Sequence, residues 1–133
     1  LRLNNNQITG KIPQQISELR QLCYLKLQNN ELFGDIPPEL FRLSNLEMMD
    51  ISNNEIQGSI PYELTMLTNL DTLKLNNNQL SGGISDEFQQ AFQDIEVDIS
   101  NNYFNTLDNI PEEWNTENAF QTLKQYDIEY RPN

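Results

Sequence analysis

The sequence predicts an α/β repeat solenoid, in which short parallel strands stack on their copies and a short helical turn closes each repeat. The first observation is an asparagine that returns every 24 residues, at Asn6, Asn30, Asn54, Asn78 and Asn102. The second is an apolar pair, split by one residue, that ends three residues before each asparagine. The third is the motif L-x-G-x-I-P in the second half of the repeat. A fixed period of this length is typical of a stacked repeat protein.

Apolar alternation marks the predicted strands. Two inward residues with one outward residue between them have the period of a β-strand. Because so short a strand cannot bury a face alone, we expect each strand to pair with its copies, so that the apolar columns merge into one core. The inward pairs are Leu1/Leu3, Leu25/Leu27, Met49/Ile51, Leu73/Leu75 and Val97/Ile99.

The asparagine column has a structural role in this interpretation. Where the chain leaves each strand, backbone groups lose their ladder partners. An asparagine amide offers both donors and an acceptor, so it can bridge the turns of adjacent repeats. Leaving such groups unpaired costs about 1–3 kcal/mol each. We therefore predict a structural asparagine ladder at Asn6, Asn30, Asn54, Asn78 and Asn102.

Glycine and proline organise the second half of each repeat. The glycines favour a positive φ or a close backbone approach, and they recur at Gly10, Gly34, Gly58 and Gly82. Each Ile-Pro step fixes φ and ends strand pairing, at Pro13, Pro37 and Pro61. The apolar residues that follow each proline predict a short helical turn.

The repeat pattern weakens towards the C-terminus. Ser85 replaces the proline of the fourth repeat, and Thr106 replaces the glycine of the fifth. We therefore divide the chain into about four and a half repeats over residues 1–105 and an irregular C-terminal cap over residues 106–133. In the cap, Trp114 takes the inward position of the earlier helical turns. A truncated last strand is expected at Leu123, Tyr126 and Ile128.

The repeated consensus L-x-x-L-x-L-x-x-N-x-L-x-G-x-I-P resembles the plant-specific class of leucine-rich repeats. The resemblance implies a right-handed leucine-rich-repeat solenoid with a curved parallel sheet on its concave face and short helical or 3-10 turns on its convex side. It also implies a short second sheet and a receptor-like, extracellular protein. A single cysteine, Cys23, and the absence of an N-x-S/T sequon argue against an extracellular protein, so we assign no compartment. Leu1 lies in the middle of a repeat, so we expect further repeats before it.

Composition bears on several classes of function. The net charge of −12 and the pI near 4.1 argue against nucleic acid and anionic membranes as partners. No apolar run approaches the roughly 20 residues of a membrane-spanning helix, so we expect no membrane insertion in this segment. The chain has no histidine, and its sequence has no nucleophile elbow, phosphate loop or paired metal ligands. We expect no enzyme, no cofactor and no metal site.

The outward strand residues form the candidate binding surface. The residue between the apolar pairs reads Arg2, Lys26, Asp50, Lys74, Asp98 and Asp127 in successive strands. Neighbouring strands lie about 4.8 Å apart, so the lysines and aspartates from the second strand to the fifth can form a ladder of alternating charge. Such a ladder either supports the sheet, at about 0.2–1 kcal/mol for each pair, or serves as a charge-patterned binding surface. An adjacent column contains Tyr24, Met48, Thr72 and Glu96, and Tyr103 follows a later strand.

Carboxylates concentrate at the C-terminal end, where residues 94–133 contain nine acidic and two basic side chains. Four of them are expected on two adjacent strands: Glu96, Asp98, Asp127 and Glu129. These carboxylates either attract Ca²⁺ or a basic partner segment, or form a solvated acidic rim that keeps the cap soluble.

These patterns favour a non-catalytic module that binds a protein partner through the concave face and the acidic cap. The alternative is a structural or scaffold subunit of a larger assembly, which would bury the outward aromatic side chains Phe33, Phe41 and Tyr62. A third interpretation is an ice-binding leucine-rich-repeat protein, in which regular asparagine columns order water. The columns lack the threonine regularity that would favour ice binding.

Overall fold

The computed structural model describes residues 1–105, 110–117 and 119, which form a stack of strand–turn repeats. Its elements, in chain order, are β1 (Thr9–Lys11), η1 (Gln14–Glu18), β2 (Tyr24–Lys26), β3 (Glu31–Gly34), η2 (Pro38–Arg42), β4 (Met48–Asp50), β5 (Glu55–Gly58), η3 (Tyr62–Met66), β6 (Thr72–Lys74), β7 (Gln79–Gly82), α1 (Asp86–Ala91), β8 (Glu96–Asp98) and β9 (Tyr103–Phe104). The η elements are 3-10 helices.

The strands form two parallel sheets. The first sheet has the order β2-β4-β6-β8, and the second has the order β1-β3-β5-β7-β9. In the first sheet each residue of β2, β4 and β6 pairs with the residue 24 positions later, as Leu25 does with Met49 and Leu73 does with Val97. The leucine-rich-repeat solenoid with a parallel sheet, a second short sheet and 3-10 turns is therefore confirmed.

The core lies between the first sheet and the helical turns. The middle residue of each strand of the first sheet is buried, namely Leu25, Met49, Leu73 and Val97. The turns contribute a second buried column at Leu40, Leu64 and Phe88. Neighbouring repeats add to each column, so one continuous hydrophobic core runs along the stack.

The asparagine ladder joins each repeat to the one before it. The Asn78 Oδ1 accepts a hydrogen bond from the Ile56 amide at 3.0 Å, one repeat earlier. Its Nδ2 donates to the Ile51 carbonyl of that repeat at 3.0 Å and to the Leu75 carbonyl of its own repeat at 3.2 Å. The same pattern occurs at Asn30, Asn54 and Asn102. One buried side chain thus satisfies backbone groups on both sides of a turn.

The backbone conformation of the second asparagine column was not anticipated from the sequence. These residues precede the ladder asparagines and adopt positive φ angles of 54–62°, at Asn5, Asn29, Asn53, Asn77 and Asn101. Asparagine tolerates the left-handed region better than most other residues with a side chain. The doubled asparagine in every repeat is the signal that could have predicted this turn.

Glycine is required for two reasons in the second sheet. Gly58 has a φ of 82°, and a Cβ built on it would lie 2.5 Å from the Asp35 Oδ1 of the preceding repeat. Gly10 has a φ of 102°, but nothing lies within 4 Å of such a Cβ. Backbone conformation therefore favours glycine at both positions, and a Cβ at Gly58 would also require the Asp35 carboxylate to shift.

The fourth helical turn differs from the first three. Prolines precede η1, η2 and η3 and make no side-chain cap, whereas Ser85 precedes α1. The Ser85 Oγ accepts a hydrogen bond from the Phe88 amide at 3.1 Å, which is the N-cap of an α-helix. Replacement of proline by serine therefore coincides with a change from a 3-10 helix to a capped α-helix.

The stack continues beyond β8 with a shortened repeat. The Ile99 amide donates to the Asn115 carbonyl, and the Asn115 amide donates to the Val97 carbonyl, both at 2.9 Å. Asn115 thus lies beside Asp98, 17 residues later in the chain instead of 24. With the same offset, Ala119 takes the ladder position after Asn102, and its backbone carbonyl accepts from the Phe104 amide at 2.8 Å.

Asn115 occupies the side of β8 that faces away from β6. At Asp98 one edge of β8 pairs with β6 and the other with Asn115. The chain therefore returns to the sheet directly after Trp114. Asp127 and Glu129, with the predicted strand at 123–128, lie outside the described residues, and the division at residue 105 stays a prediction.

Trp114 closes the described end of the core. Its side chain is buried and meets the Phe88 ring edge-on, with ring centroids 5.6 Å apart. The indole Nε1 donates to the Phe92 carbonyl at 3.2 Å. Among the described residues, no helix has the length and apolar character needed to cross a membrane.

Candidate functional site: the concave face

The concave face consists of the outward side chains of β2, β4, β6 and β8. Buried middle residues anchor each strand, so the residues on either side of them point away from the core. The strand register aligns one column of Tyr24, Met48, Thr72 and Glu96. It aligns a second column of Lys26, Asp50, Lys74 and Asp98, which begins at Arg2 beside Lys26.

The first column changes from apolar to acidic along the stack. Tyr24 is 46% exposed and Met48 is half-buried. Thr72 is also half-buried, and Glu96 is exposed at the other end. Tyrosine and methionine are enriched where proteins bind one another, so the N-terminal half of this column offers the better anchor for a partner.

The predicted ladder of alternating ion pairs is wrong, although the register that it required is present. Asp50 is only 8% exposed, and its Oδ1 accepts hydrogen bonds from the Ser52 amide at 3.0 Å and the Ser52 hydroxyl at 2.6 Å. Asp98 makes the same two bonds to Ser100, at 3.0 and 2.7 Å. Both carboxylates therefore bond to donors on their own strand.

The reason is that serine and lysine compete as hydrogen-bond donors to each carboxylate. A serine two residues further on presents two donors at short range, whereas a lysine must order a long side chain to reach the carboxylate. Within the described part of the chain, the one ion pair joins Lys74 Nζ to Glu96 Oε2 at 3.6 Å. These side chains are 36% and 65% exposed, so their attraction is weak.

The repeats that carry an outward lysine, Lys26 or Lys74, differ in their polar contacts from the repeats that carry an outward aspartate, Asp50 or Asp98. Gln28 and Asn76 occupy the positions that serine occupies in the aspartate repeats. Their side-chain oxygens, Gln28 Oε1 and Asn76 Oδ1, are buried and accept no hydrogen bond. The face therefore alternates between repeats whose polar groups are internally paired and repeats with an outward lysine and an unpaired amide oxygen.

Other predicted site residues lie apart from this face. Tyr103 begins β9 and pairs with Ser81, so it belongs to the second sheet, where it is half-buried. At the C-terminal end the Asp98 Oδ2 accepts from the Asn115 Nδ2 at 3.2 Å. No group of three or more histidine, cysteine, aspartate or glutamate residues within residues 1–105, 110–117 and 119 is placed to hold a metal ion.

The outer asparagine column bears on the ice-binding interpretation. The Asn29 Nδ2 donates to the Asn5 Oδ1 at 2.6 Å, so at least this pair of amides bond to each other. The Asn53 Nδ2 contacts the Ser52 hydroxyl at 3.5 Å. Amides that bond within the protein are less available to order water, and ice binding stays a prediction without a supporting contact.

Family comparisons agree with the repeat geometry. A family model described as leucine rich repeat matches residues 32–80, and a second model of the same description matches residues 1–19. None of the curated proteins compared matches the chain.

Solved structures with this fold include several plant receptor ectodomains. The ectodomain of the receptor kinase SOBIR1 from Arabidopsis thaliana is 26% identical, with a TM-score of 0.78, and the match covers 89% of this chain and 67% of that one. A chain of the BIR3–SERK2 complex from the same plant is 30% identical, with a TM-score of 0.74, and the match covers 85% of this chain and 60% of that one.

A third match is the Arabidopsis receptor kinase HAESA, in a complex with the peptide hormone IDA and the co-receptor SERK1. It is 33% identical, with a TM-score of 0.74, over 78% of this chain. The chain spans only 17% of the length of that relative.

Proposed function

We propose that this chain, which belongs to the plant-type leucine-rich-repeat family, is a non-catalytic module that binds a protein partner through its concave face and acidic C-terminal end. The proposal rests on the observation that the positions that hold the scaffold and the positions that vary in chemistry are different residues of each repeat. Ladder asparagines and middle strand residues hold the scaffold, whereas the flanking strand residues vary in chemistry from repeat to repeat. Variable side chains on a constant backbone are suited to recognition.

The relatives support binding as the general activity. The HAESA structure contains a peptide hormone and a co-receptor, and the BIR3–SERK2 structure is a complex of two proteins. We extend only the general activity, protein recognition, to this chain.

The chemistry of the concave face supports a non-catalytic role. The Asp50 and Asp98 carboxylates are bonded to serine donors, and the chain has no histidine that could act as a general base. Binding needs only complementary shape and charge at this surface, which Tyr24, Met48 and the lysines can provide.

A matched pair of tyrosines tests the proposal. The full chain is used to capture a partner from native extract, and its affinity is then measured for Tyr24→Ala and for Tyr62→Ala. Tyr24 lies on the concave face, whereas Tyr62 begins η3 on the opposite side and is 68% exposed. We expect Tyr24→Ala to weaken the complex by about 1–2 kcal/mol, as truncation of a tyrosine anchor does. Tyr62→Ala should leave the affinity unchanged.

The reverse result would favour the second candidate, a scaffold subunit. Tyr62 and Met66, both in η3, are 68% and 54% exposed, and Phe33 is 43% exposed in the second sheet. These aromatic and apolar side chains lie away from the concave face and would be buried in a permanent assembly. A monodisperse monomer in solution that binds through Tyr24 would exclude this candidate, and binding lost only with Tyr62 would support it.

The acidic end has its own test. Reversal of charge in Asp98→Lys should weaken a complex whose affinity falls as salt is added, because a basic partner segment loses its attraction. Asp86→Lys at the start of α1 is the control for net charge. Equal affinities for the two variants at low salt would remove the acidic end from the proposal.

A further inference from the structure

We infer that the concave face selects an extended acidic segment of its partner, with carboxylates at positions i and i+3. The inference rests on the proposed function and adds the chemistry of the ligand. It departs from the expectation of a basic partner, which the net charge of −12 suggests. Between Arg2 and Lys74 the outward column of this face carries three positive charges and one negative charge.

The charges that a partner meets on this part of the face are cationic. Arg2, Lys26 and Lys74 project from the column, and the one carboxylate among them is that of Asp50. Asp50 is buried beneath the surface and bonded to Ser52, whereas Arg2 is exposed and makes no ion pair with the described residues. A partner carboxylate therefore approaches ammonium and guanidinium groups before it approaches the buried carboxylate.

Lysine availability strengthens this argument. Lys26 makes no ion pair with residues in the described ranges, and Lys74 makes only the exposed contact to Glu96 at 3.6 Å. Exposed ion pairs exchange readily with competing charges because solvent already screens them. Lys26 is thus available to a partner carboxylate, and Lys74 can exchange its exposed contact to Glu96 for one.

The spacing of the lysines sets the spacing of the ligand. Lys26 and Lys74 lie in β2 and β6, which are separated by β4 alone. With neighbouring strands about 4.8 Å apart, their backbones are separated by about 9.6 Å. A polyproline II segment rises about 3.1 Å per residue with three residues per turn, so side chains at i and i+3 lie on one side about 9.3 Å apart. Side chains at i and i+2 of a β-strand, about 6.6 Å apart, do not match.

The unpaired amide oxygens lie in the same two repeats as the lysines. Gln28 and Asn76 each follow a lysine by two residues, and their buried oxygens accept no hydrogen bond. Both side chains are only half-buried, so rotation can bring an oxygen to the surface. An acidic residue offers the complement to each repeat, because its carboxylate accepts from the lysine and its own backbone N–H can donate to the amide oxygen.

The ligand should be a short acidic segment and not a long polyanion. The remainder of the chain is strongly acidic, and its field repels an extended negative polymer at long range. A segment with two carboxylates and neutral flanks meets only the cationic column.

Synthetic octapeptides test the spacing and the sign of charge. The probe is the blocked peptide Pro-Pro-Glu-Pro-Pro-Glu-Pro-Pro, in which proline holds the polyproline II conformation. One control moves the glutamates to i and i+2, and a second replaces both with lysine. Binding to the full chain is followed by NMR titration at about 0.01 M ionic strength, where the screening length is about 30 Å. We expect the probe to bind about two- to fivefold tighter than the i, i+2 peptide, with shifts confined to the concave strands, and no shifts at Lys26 or Lys74 when the lysine peptide is added.

Matched variants locate the site. Lys26→Gln and Lys74→Gln should each weaken the probe about two- to fivefold, and together they should remove its preference over the i, i+2 peptide. Lys11→Gln in β1, a cation of the second sheet, is the control and should have no effect. Equal shifts of Lys26 and Lys74 with the acidic and the lysine peptides, or probe binding that is insensitive to both concave lysines, would overturn the inference.

A captured natural partner separates this inference from the proposed function. If the complex depends on Tyr24 but neither on Lys26 nor on competition by the acidic probe, the chain recognises proteins and the acidic ligand is wrong. If the probe binds through the lysines while the natural complex ignores every concave variant, the surface chemistry is right and the proposed function is wrong.

Discussion

The middle repeats and the C-terminal end both satisfy the backbone groups of their turns and cover the core, but they use different residues to do so. In the middle, a ladder asparagine satisfies each turn, a proline precedes each 3-10 helix, and separate leucines fill the core. At the C-terminal end, a capped α-helix replaces the 3-10 helix, a backbone carbonyl at Ala119 replaces an asparagine amide, and one tryptophan closes the core. A repeat with like neighbours on both sides can use the common solution, whereas the last repeat must close the stack with groups of its own.

The largest effect is expected at the closing residue. Trp114→Ala should lower the free energy of unfolding by about 3–5 kcal/mol, because it leaves a large cavity against Phe88 and removes the donor to the Phe92 carbonyl. Urea denaturation of the variant and the parent measures the loss. Leu73→Ala in the middle of the stack is the comparison, at about 2–5 kcal/mol. A loss below about 1 kcal/mol for Trp114→Ala would mean that the tryptophan does not close the core.

The ladder asparagines provide the second prediction. Asn78→Ala should cost about 1–3 kcal/mol because the buried Ile56 amide loses its acceptor and three carbonyls lose a donor. Asn6→Ala at the exposed start of the ladder should cost less than about 0.5 kcal/mol. Thermal and urea unfolding of both variants gives the comparison. Equal losses would show that the ladder does not depend on a repeat on each side.

Glycine in the second sheet gives a smaller effect. Gly58→Ala should lower stability by about 1–2 kcal/mol, because a side chain at positive φ is strained and its Cβ meets the Asp35 carboxylate. Gly10→Ala shares the unfavourable φ but has open space around it, so its loss should be smaller. The double variant Asp35→Ala/Gly58→Ala separates the two causes. If removal of the Asp35 carboxylate restores no stability to the Gly58→Ala variant, close stacking does not contribute to the requirement for glycine.

The smallest effect concerns the exchange of proline for serine. Ser85→Ala removes the N-cap of α1 and should cost about 0.5–1 kcal/mol. Ser85→Pro restores the residue of the earlier repeats at a compatible φ of −69°, and the restricted unfolded chain should recover about 0.4–1 kcal/mol. Unfolding curves should therefore rank the proline variant above the alanine variant. The opposite rank would show that the fourth turn requires a side-chain cap.

The regular part of the fold was predictable because each signal is repeated. The strand register, the positive φ of the glycines and the turns after the prolines follow from positions that recur three to five times. The shortened repeat after β8 occurs once among the described residues, so no column marks Asn115 as the neighbour of Asp98 or Ala119 as the residue that follows Asn102 in the ladder. Its prediction would have required knowing which later segment reaches the open edge of β8.

The candidate site was predictable as a surface but not in its chemistry. Alternation along the strands identifies Lys26 and Asp50 as neighbours on the concave face, and the register agrees. Sequence alone does not show that the Asp50 carboxylate accepts its hydrogen bonds from Ser52, because a carboxylate beside both a lysine and a serine can accept from either donor. Tyr103 was assigned to the wrong sheet because the second sheet begins directly after the asparagine turn.

The sequence by itself determined the period, the inward and outward columns, and the stacking of equivalent residues from successive repeats. It could do so because backbone geometry turns a 24-residue period into a fixed direction for every side chain. Only the tertiary structure decided which hydrogen bonds form across those columns and what closes the last strand. Such choices depend on distances of about 3 Å, both between near neighbours such as Asp50 and Ser52 and between groups in different repeats.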